Sequence, residues 1–401
     1  MPESSANPAV VAQIKALIGE QAYAQAFAPI EQASGLVNKC YWSEEWLTLE
    51  QEQLFARSWV FAAAAAEIPE PGDIKPLSIA GAPIILVRDQ QEIRAFHNVC
   101  RHRGATLIEQ PCNKSSISCP YHAWNYALDG RLKFRPHFFG PDQHERVTDG
   151  DHDPDRINLV SVACKTWNGC VFVNLGKHPQ AFEDYITPLE NCAPHHDFSS
   201  IRWAGKLEFE VQANWKLVFE NYMEGYHVFS LHPELLKFAP MNLRWSGEWR
   251  GRTFYNDYVV EQLQSGRGAG LPHYPGLPEQ EQRRGFWTLN FPQFAAEVFA
   301  DQFAVLSAQP VAPNLTREEL HVFLIGDAAT SDAFAEQRKQ VMQTWHDLNH
   351  EDMDILESLQ RGRRSPAYDG GRLSPHWDGP THQFARVLME TMTADLSIPS
   401  P

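Results

Sequence analysis

The chain has 401 residues, 43% of them hydrophobic and 11% aromatic, enough apolar material for two or three domains. Its formal charge is −16, so nothing in the average composition neutralises phosphate, which argues against nucleic acid and anionic membrane surfaces as partners. No apolar run approaches the roughly 18 residues of a membrane span. The polar start at residues 1–9 and Lys15 within 10–19 do not make a signal peptide. The seven cysteines are an odd number without a disulfide framework, so a reduced, cytoplasmic protein is expected.

In chain order, residues 8–28 hold Val10, Val11, Ile14, Leu17 and Ile18 in a helical texture. Residues 44–60 set Leu47, Leu49, Leu54, Phe55 and Trp59 among Glu45, Glu50 and Glu52. Both stretches are expected to be helices without chemistry, and residues 1–57 to form an N-terminal segment packing on the catalytic domain. At Pro69-Glu-Pro-Gly72 the texture changes to short β-rich runs at 75–80, 83–88 and 92–97, with Asp89-Gln-Gln-Glu92 as the turn between the last two. Further strands are expected at 160–163 and 170–175. Residues 58–176 thus read as a small all-β domain presenting two loops, one opening at Asn98 and one spanning 118–124. The remainder, 177–401, begins with a strand-like alternation over 201–213. Asn214 then stands as the N-cap of a helix over 215–226. Residues 265–284 read as a long loop. Strands are expected at 285–291, 303–309 and 320–325, a long helix at 333–360 and a last helix at 379–392. The fold class is α+β: a small β domain, then an antiparallel sheet with long helices.

The two loops carry Cys100-Arg-His102 and Cys119-Pro-Tyr-His122. Zinc sites also use two Cys and two His, but zinc fingers group like with like. Here each loop brings one of each, which suits a Rieske [2Fe–2S] cluster. In that cluster two thiolates hold one iron and two neutral imidazoles hold the other, which raises the reduction potential.

A second cluster of donors follows helix 215–226. Glu220, Glu224 and His227 recur with Leu217 at helical spacing. His227 and His232 are five apart, so the helix has to turn or end between them, and Pro233 fits that. Two imidazoles at a helix end suit a divalent metal and want a carboxylate from elsewhere. This is the arrangement that leaves Fe(II) open positions for O₂ and substrate. In the long helix the apolar stripe runs Val341, Trp345, Leu348, Ile355, Leu359, and Asp352 occupies the slot between Leu348 and Ile355. An inward carboxylate there is expensive unless bound. Glu351 and Asp354 fall off the stripe. His195-His196 and His346/His350 read as surface or satisfied histidines.

These residues carry a family resemblance. Asn98-Val-Cys-Arg-His-Arg-Gly104, Cys119-Pro-Tyr-His-Ala-Trp124, Asn214-Trp-Lys216 leading into Glu220, Glu224, His227 and His232, and Glu351-Asp352 with Gln360-Arg-Gly362 make most of the chain similar to the α-subunits of Rieske non-haem iron oxygenases. The resemblance implies a Rieske domain joined to a helix-grip catalytic domain, assembled as a homotrimer or a multiple of it. It also implies electrons that cross between subunits through an acid linking a cluster histidine to an iron histidine. Glu224 matches that acid, with His122 and His227 as the groups joined. Glu220 matches the first acid of the motif, and Asn214 precedes it; both join Glu224 as candidate catalytic residues. There are two departures: Ala123 stands where the family usually has Gly, and Glu224 where most members have Asp. Glu at that position resembles the subgroup acting on quaternary ammonium compounds such as carnitine and choline.

The resulting expectation is an O₂-dependent mono-oxygenase with a mononuclear Fe(II). A separate flavin or iron–sulfur reductase feeds it, because the chain shows no flavin or nicotinamide fingerprint. Its expected small-molecule substrate is a quaternary or methylated amine, hydroxylated next to nitrogen with demethylation or C–N cleavage. Phe219, Tyr222, Tyr226, Phe229, Trp245, Trp249, Tyr255, Phe286 and Trp287 are available for cation–π contact. The alternative is hydroxylation or dihydroxylation of an aromatic compound or aromatic acid. A remoter one is a Rieske electron-transfer protein without oxygenase activity.

Overall fold

The structure is a computed structural model that describes residues 6–148, 153–260 and 262–395. Phe55–Phe182 form one compact unit, and the segments before and after it in the chain form another.

The N-terminal segment contributes four helices. In α1 (Pro8–Ile18) the Asn7 side chain accepts from the amides of Ala9 and Val10, and Pro8 takes the first turn, where its missing N–H costs nothing. The expected single helix over 8–28 is broken: Gly19 adopts φ +91°, and α2 (Glu20–Gln25) starts afresh. After α3 (Lys39–Trp42), Ser43 caps α4 (Glu44–Gln53), and Glu44 and Glu45 in its first turn complement the helix dipole. The expected helix to residue 60 ends early. Phe55–Arg57 make a 3-10 turn, and from Val60 the chain enters a strand, Val60–Ala64, which takes most of the alanine run. Every residue of that strand is buried, so pairing and two-sided packing outweigh alanine's helix propensity.

That strand, β1, opens the sheet of the Phe55–Phe182 unit. The others in chain order are β2 (Asp73–Ile79), β3 (Ala82–Arg88), β4 (Ile93–His97) and β5 (Cys112–Asn113). A small second sheet is made of β6 (Ile117–Ser118), β7 (Asn125–Tyr126), β8 (Leu132–Arg135) and β9 (Glu145–Arg146). The turn of helix α5 (Pro154–Ile157) precedes β10 (Ser161–Trp167) and β11 (Cys170–Asn174). The main sheet has the order β1-β11-β10-β4-β3-β2-β5. The two donor loops lie between β4 and β5 and between β6 and β7.

Helix α6 (Phe182–Cys192) leads into the other unit. A seven-stranded antiparallel sheet there comprises β12 (Ile201–Val211), β13 (Glu248–Arg250), β14 (Thr253–Val259), β17 (Arg284–Asn290), β18 (Phe294–Phe299), β19 (Gln302–Ala312) and β20 (Leu315–Ile325), in the order β12-β20-β19-β18-β17-β14-β13. The short pair β15 (Gln264–Ser265) and β16 (Gly268–Ala269) lies in the long loop. Between β12 and β13 run α7 (Trp215–Met223), α8 (Val228–Leu231) and α9 (Pro233–Phe238); α10 (Ala335–Gly362) and α11 (Gly379–Thr393) end the chain. Val341 and Trp345 of α10 pack into the core with Phe209, Leu320, Val322 and Leu324 of the sheet. The buried stripe continues through Leu356 and Gln360, whereas Leu359 is exposed.

Helix α7 is anchored from behind. Glu50 of α4, fully buried, accepts from Trp46 Nε1 (2.7 Å), Trp215 Nε1 (2.9 Å) and Lys216 Nζ (2.7 Å). Every charge in this pair has partners, so its desolvation is compensated, and losing one member leaves a buried charge at a cost of about 3–5 kcal/mol. Among the described residues no helix is long and apolar enough to cross a membrane, and all seven cysteines are free thiols.

His196 departs from the expected surface or satisfied position. It is 6% exposed, packed edge-on to Tyr274 and Phe286, and neither ring nitrogen has a hydrogen-bond partner among the described residues. Burial, then the nearby His195, lowers its pKa from 6.5 to about 4. The unfolded chain therefore takes up a proton below pH 6.5 that the folded chain refuses until about 4. Stability is complete above 6.5 and declines as pH falls through that window, by about 3 kcal/mol from this group. His196→Leu is expected to flatten the loss of the urea midpoint between pH 6.5 and 4.5; an unchanged slope would show that His196 titrates normally.

Candidate active site

The first donor set lies on two locally closed turns. Gly104 N donates to the Cys100 carbonyl (3.0 Å) with Gly104 at φ +77°, and Ala123 N donates to the Cys119 carbonyl (3.1 Å). Ala123 sits at φ +54°, where an L side chain costs about 1–2 kcal/mol, so the family's usual glycine has a backbone reason. Cys100 and Cys119 are buried, at 3% and 4% exposure. His102 and His122 are exposed, with ring centroids 4.8 Å apart. Thiols inside and imidazoles at the surface are the donor arrangement of a Rieske cluster, and the set fits one. His102 stacks on Trp124, centroids 4.7 Å apart and planes at 5°. One residue was not foreseen: Tyr126 Oη accepts the Arg101 N–H (3.1 Å) and lies 3.3 Å from Cys100 Sγ. With its lone pair engaged, its own hydrogen is free for the sulfur, and such bonds tune a cluster's potential. Nothing in the spacing announced it.

The second donor set forms where α7 stops. The helix ends at Met223 rather than at 226, and Glu224 is extended at φ −105°, ψ 141°. Glu224 therefore meets His227 through a turn, not along a shared helical face. Its Oε2 accepts from the amides of Tyr226 and His227, and its Oε1 lies 2.5 Å from His227 Nδ1. His227 and His232 are the N-cap residues of α8 and α9, and Pro233 occupies the first turn of α9. Nε2 of His227 and Nε2 of His232 are 3.2 Å apart. Asp352 Oδ1 of α10 is 3.1 Å from His232 Nε2 and 3.7 Å from His227 Nε2. Separations of this size are those of three ligands each about 2.1 Å from one ion. Asp352 Oδ1 is buried without a hydrogen-bond partner among the described residues, an orphan that a cation satisfies. Burial opposes the charged form of His232, but Asp352 and then Glu351 outweigh it and its pKa is raised; the pocket favours positive charge. The trio fits a mononuclear metal.

Glu351 was placed off the stripe, yet its Oε2 lies 2.6 Å from His232 Nδ1. Each histidine is thus oriented by its own carboxylate. Two expected reacting groups lie elsewhere. Asn214 caps α7 through Lys216 N (3.1 Å) and donates to the carbonyls of Tyr41 and Pro313; its polar atoms are spent on the scaffold. Glu220 accepts from Tyr41 Oη at 2.5 Å and lies 3.7 Å from Arg363 Nη2. Neither lines the cleft, so both position α7. Another exposed trio, His137, Asp142 and His144, also converges. There, Nδ1 of His137 and of His144 accept the amides of Asp142 and His137, which closes a hairpin.

Beside His227, His232 and Asp352 opens a cleft. Of the aromatics available in the sequence, Tyr222, Trp245 and Trp287 line it, joined by Tyr258 and Trp345. Phe219 is core, and Tyr226 and Phe229 are exposed. Three charged groups from distant segments complete the wall: Arg244, Glu297 and Glu318. Burial pushes the Glu318 carboxyl up to about 7, although Asn349 donates to it at 2.9 Å.

Two Cys–His loops in one unit and a His–His–Asp trio in the other define the class of two-site iron oxygenases. Residues 58–139 match the model of the Rieske [2Fe–2S] domain, and 191–394 that of the ring hydroxylating alpha subunit catalytic domain. The chain is 30% identical to the glycine betaine monooxygenase oxygenase subunit of Chromohalobacter salexigens, over 88% of this chain and 84% of that one. It is 27% identical to the carnitine monooxygenase oxygenase subunit of Escherichia coli K12, over 81% and 83%. A solved quaternary ammonium Rieske monooxygenase, described for carnitine oxidation and inter-subunit electron transfer, matches the fold with a TM-score of 0.74 at 22% identity, covering 92% of this chain and 97% of that one. The chain belongs to the Rieske-type ring-hydroxylating oxygenase α-subunits. It is an oxidoreductase of a family that uses a Rieske cluster, a mononuclear iron and O₂.

Proposed function

We propose that the chain is the oxygenase component of a mono-oxygenase acting on a quaternary or methylated amine. The observation that carries this is the cleft wall. Glu318 is 1% exposed, and no cationic side chain acts on it among the described residues. Around the same cleft Tyr222 and Trp287 pack with centroids 5.0 Å apart, and Tyr258 lies 6.4 Å from Trp287. A methylated ammonium suits both features: its charge offsets the carboxylate and its methyl groups lie against the rings. The glycine betaine and carnitine relatives support the same substrate class.

In this reading His227, His232 and Asp352 hold the mononuclear iron. Cys100 and Cys119 hold one iron of the cluster, and His102 and His122 the other. Iron bound at the trio supplies O₂ activation for attack on a C–H bond beside nitrogen. Glu224 and Glu351 accept hydrogen bonds from the Nδ1–H groups of His227 and His232, so that both Nε2 lone pairs face the ion. Glu224 also links His227 to His122 of the partner subunit, within a trimer. A methylammonium, O₂, two electrons and two protons become the N-hydroxymethyl compound and water. Loss of formaldehyde and a proton then leaves the demethylated amine. A separate flavin or iron–sulfur reductase supplies the electrons, one at a time.

The test offers the holo-oxygenase, a surrogate reductase, NADH and O₂ to methylated amines and to aromatic acids, and follows formaldehyde and hydroxylated product. Formaldehyde in step with NADH consumed is the expected result. Product from aromatic acids alone would overturn the reading.

A further inference from the structure

The cleft's remaining charged groups sort into a positive end. Arg244 and Glu297 both line it. Glu297 Oε1 accepts from Tyr258 Oη (2.7 Å) and lies 3.6 Å from Nη1 of Arg267, a guanidinium that is itself 8% exposed. Arg267 backs this wall, stacked between Phe238 and Trp345 at 5.6 and 5.4 Å. Arg244 spends its Nε on the Ala239 carbonyl (2.8 Å) and lies 5.8 Å over the Tyr258 ring. Its Nη2 is buried with no hydrogen-bond partner among the described residues.

Two guanidiniums thus act on one carboxylate, Arg267 in contact with it and Arg244 through its field. Arginine does not surrender its proton, so the wall carries at least one positive charge in excess. Were Glu297 to take up a proton, the excess would be two. A buried, unpaired guanidinium is costly, and planar N–H donors are shaped for a carboxylate. Elsewhere on the same cleft Glu318 is a buried carboxyl on which no cationic side chain acts among the described residues, whereas the charge of Asp352 is taken by the ion it holds. The cleft thus offers a carboxyl to an ammonium at Glu318 and an unpaired guanidinium to a carboxylate at Arg244.

Resting on the amine reading above, we propose that the cleft takes a zwitterion, an ammonium carboxylate, with Arg244 as the residue that binds its carboxylate. The ammonium end lies toward Glu318 and the rings, with a methyl group directed to the trio. A plain alkylammonium alcohol leaves Arg244 unpaired, so the site selects betaines over choline-type cations.

The experiment compares glycine betaine and carnitine with choline and tetramethylammonium, on the holo-oxygenase with reductase, for the native chain, R244Q and R244K. Formaldehyde release gives kcat/KM, calorimetry gives binding to the oxidised protein, and iron content with the visible spectrum checks that the variants fold. The native chain is expected to prefer the carboxylates. In R244Q the betaine-to-choline ratio is expected to fall about 10- to 100-fold, carried mainly by KM and Kd, because one charge-assisted contact is lost. R244K should fall between the two. An equal loss on both substrate types in a variant with normal iron content would overturn the assignment, as would a native preference for choline with the amine reading intact. If instead an aromatic carboxylate alone is bound and turned over, in an Arg244-dependent way, the amine reading fails and the carboxylate site stands.

Discussion

Asp352→Ala is expected to reduce the iron content from three per chain to two and to abolish product, while the visible absorption of the cluster is unchanged. Asp352 Oδ1 faces both imidazoles, at 3.1 and 3.7 Å, and is the only member of the trio that brings negative charge. Without it, two neutral imidazoles 3.2 Å apart are left to hold a dication. The cluster donors sit in the other compact unit, so their spectrum serves as an internal control for folding. Glu351→Gln supplies a graded comparison. It leaves the three ligands in place but removes the carboxylate that His232 Nδ1 meets at 2.6 Å, and a loss of about 10- to 100-fold in iron affinity is expected. If D352A still binds three irons, the carboxylate ligand has been misplaced.

Glu224→Gln is expected to retain all three irons and yet lose at least about 100-fold in coupled turnover. The amide oxygen can still accept from the His227 N–H, as Glu224 Oε2 does now, so the turn after α7 survives, while an NH₂ replaces the oxygen that faces His227 Nδ1. What disappears is the charge beside His227 and, in the proposed route, a proton acceptor coupling the two imidazoles it links. Rapid mixing separates the steps: reductase still reduces the cluster at the native rate, but single-turnover product is delayed. Native turnover in E224Q would remove Glu224 from the electron path.

The extent to which the site was legible differs between its parts for physical reasons. The cluster loops could be read because donors and turn residues lie within a few positions of one another, and local hydrogen bonds close both turns. Asp352 stands out because α10 is a long regular helix in which a carboxylate interrupts an apolar stripe. Glu351 does not stand out by the same periodicity. Periodicity assigns a face to the Cα, whereas a glutamate side chain spans enough distance to reach a histidine from the neighbouring face. The stripe itself drifted: Leu356 and Gln360 are buried, not Leu359. β14 and β18 were not anticipated. In β18 all six residues are buried, so it lacks the alternation that marks a half-exposed strand.

The sequence alone determined the family, the two donor sets and the break between His227 and His232, because each is written in residues near one another or in one uninterrupted helix. Only the tertiary structure decided that α7 stops at Met223, so that Glu224 serves His227 through a turn. It also set Asn214 and Glu220 behind the helix as scaffold. And it assembled the cleft wall from Arg244 after α9, Glu297 of β18 and Glu318 of β20. These residues share no spacing; antiparallel pairing and burial against α10 bring their charges to one cavity. The substrate-selecting electrostatics are therefore a property of the packed sheet, in which desolvation makes each unpaired charge count.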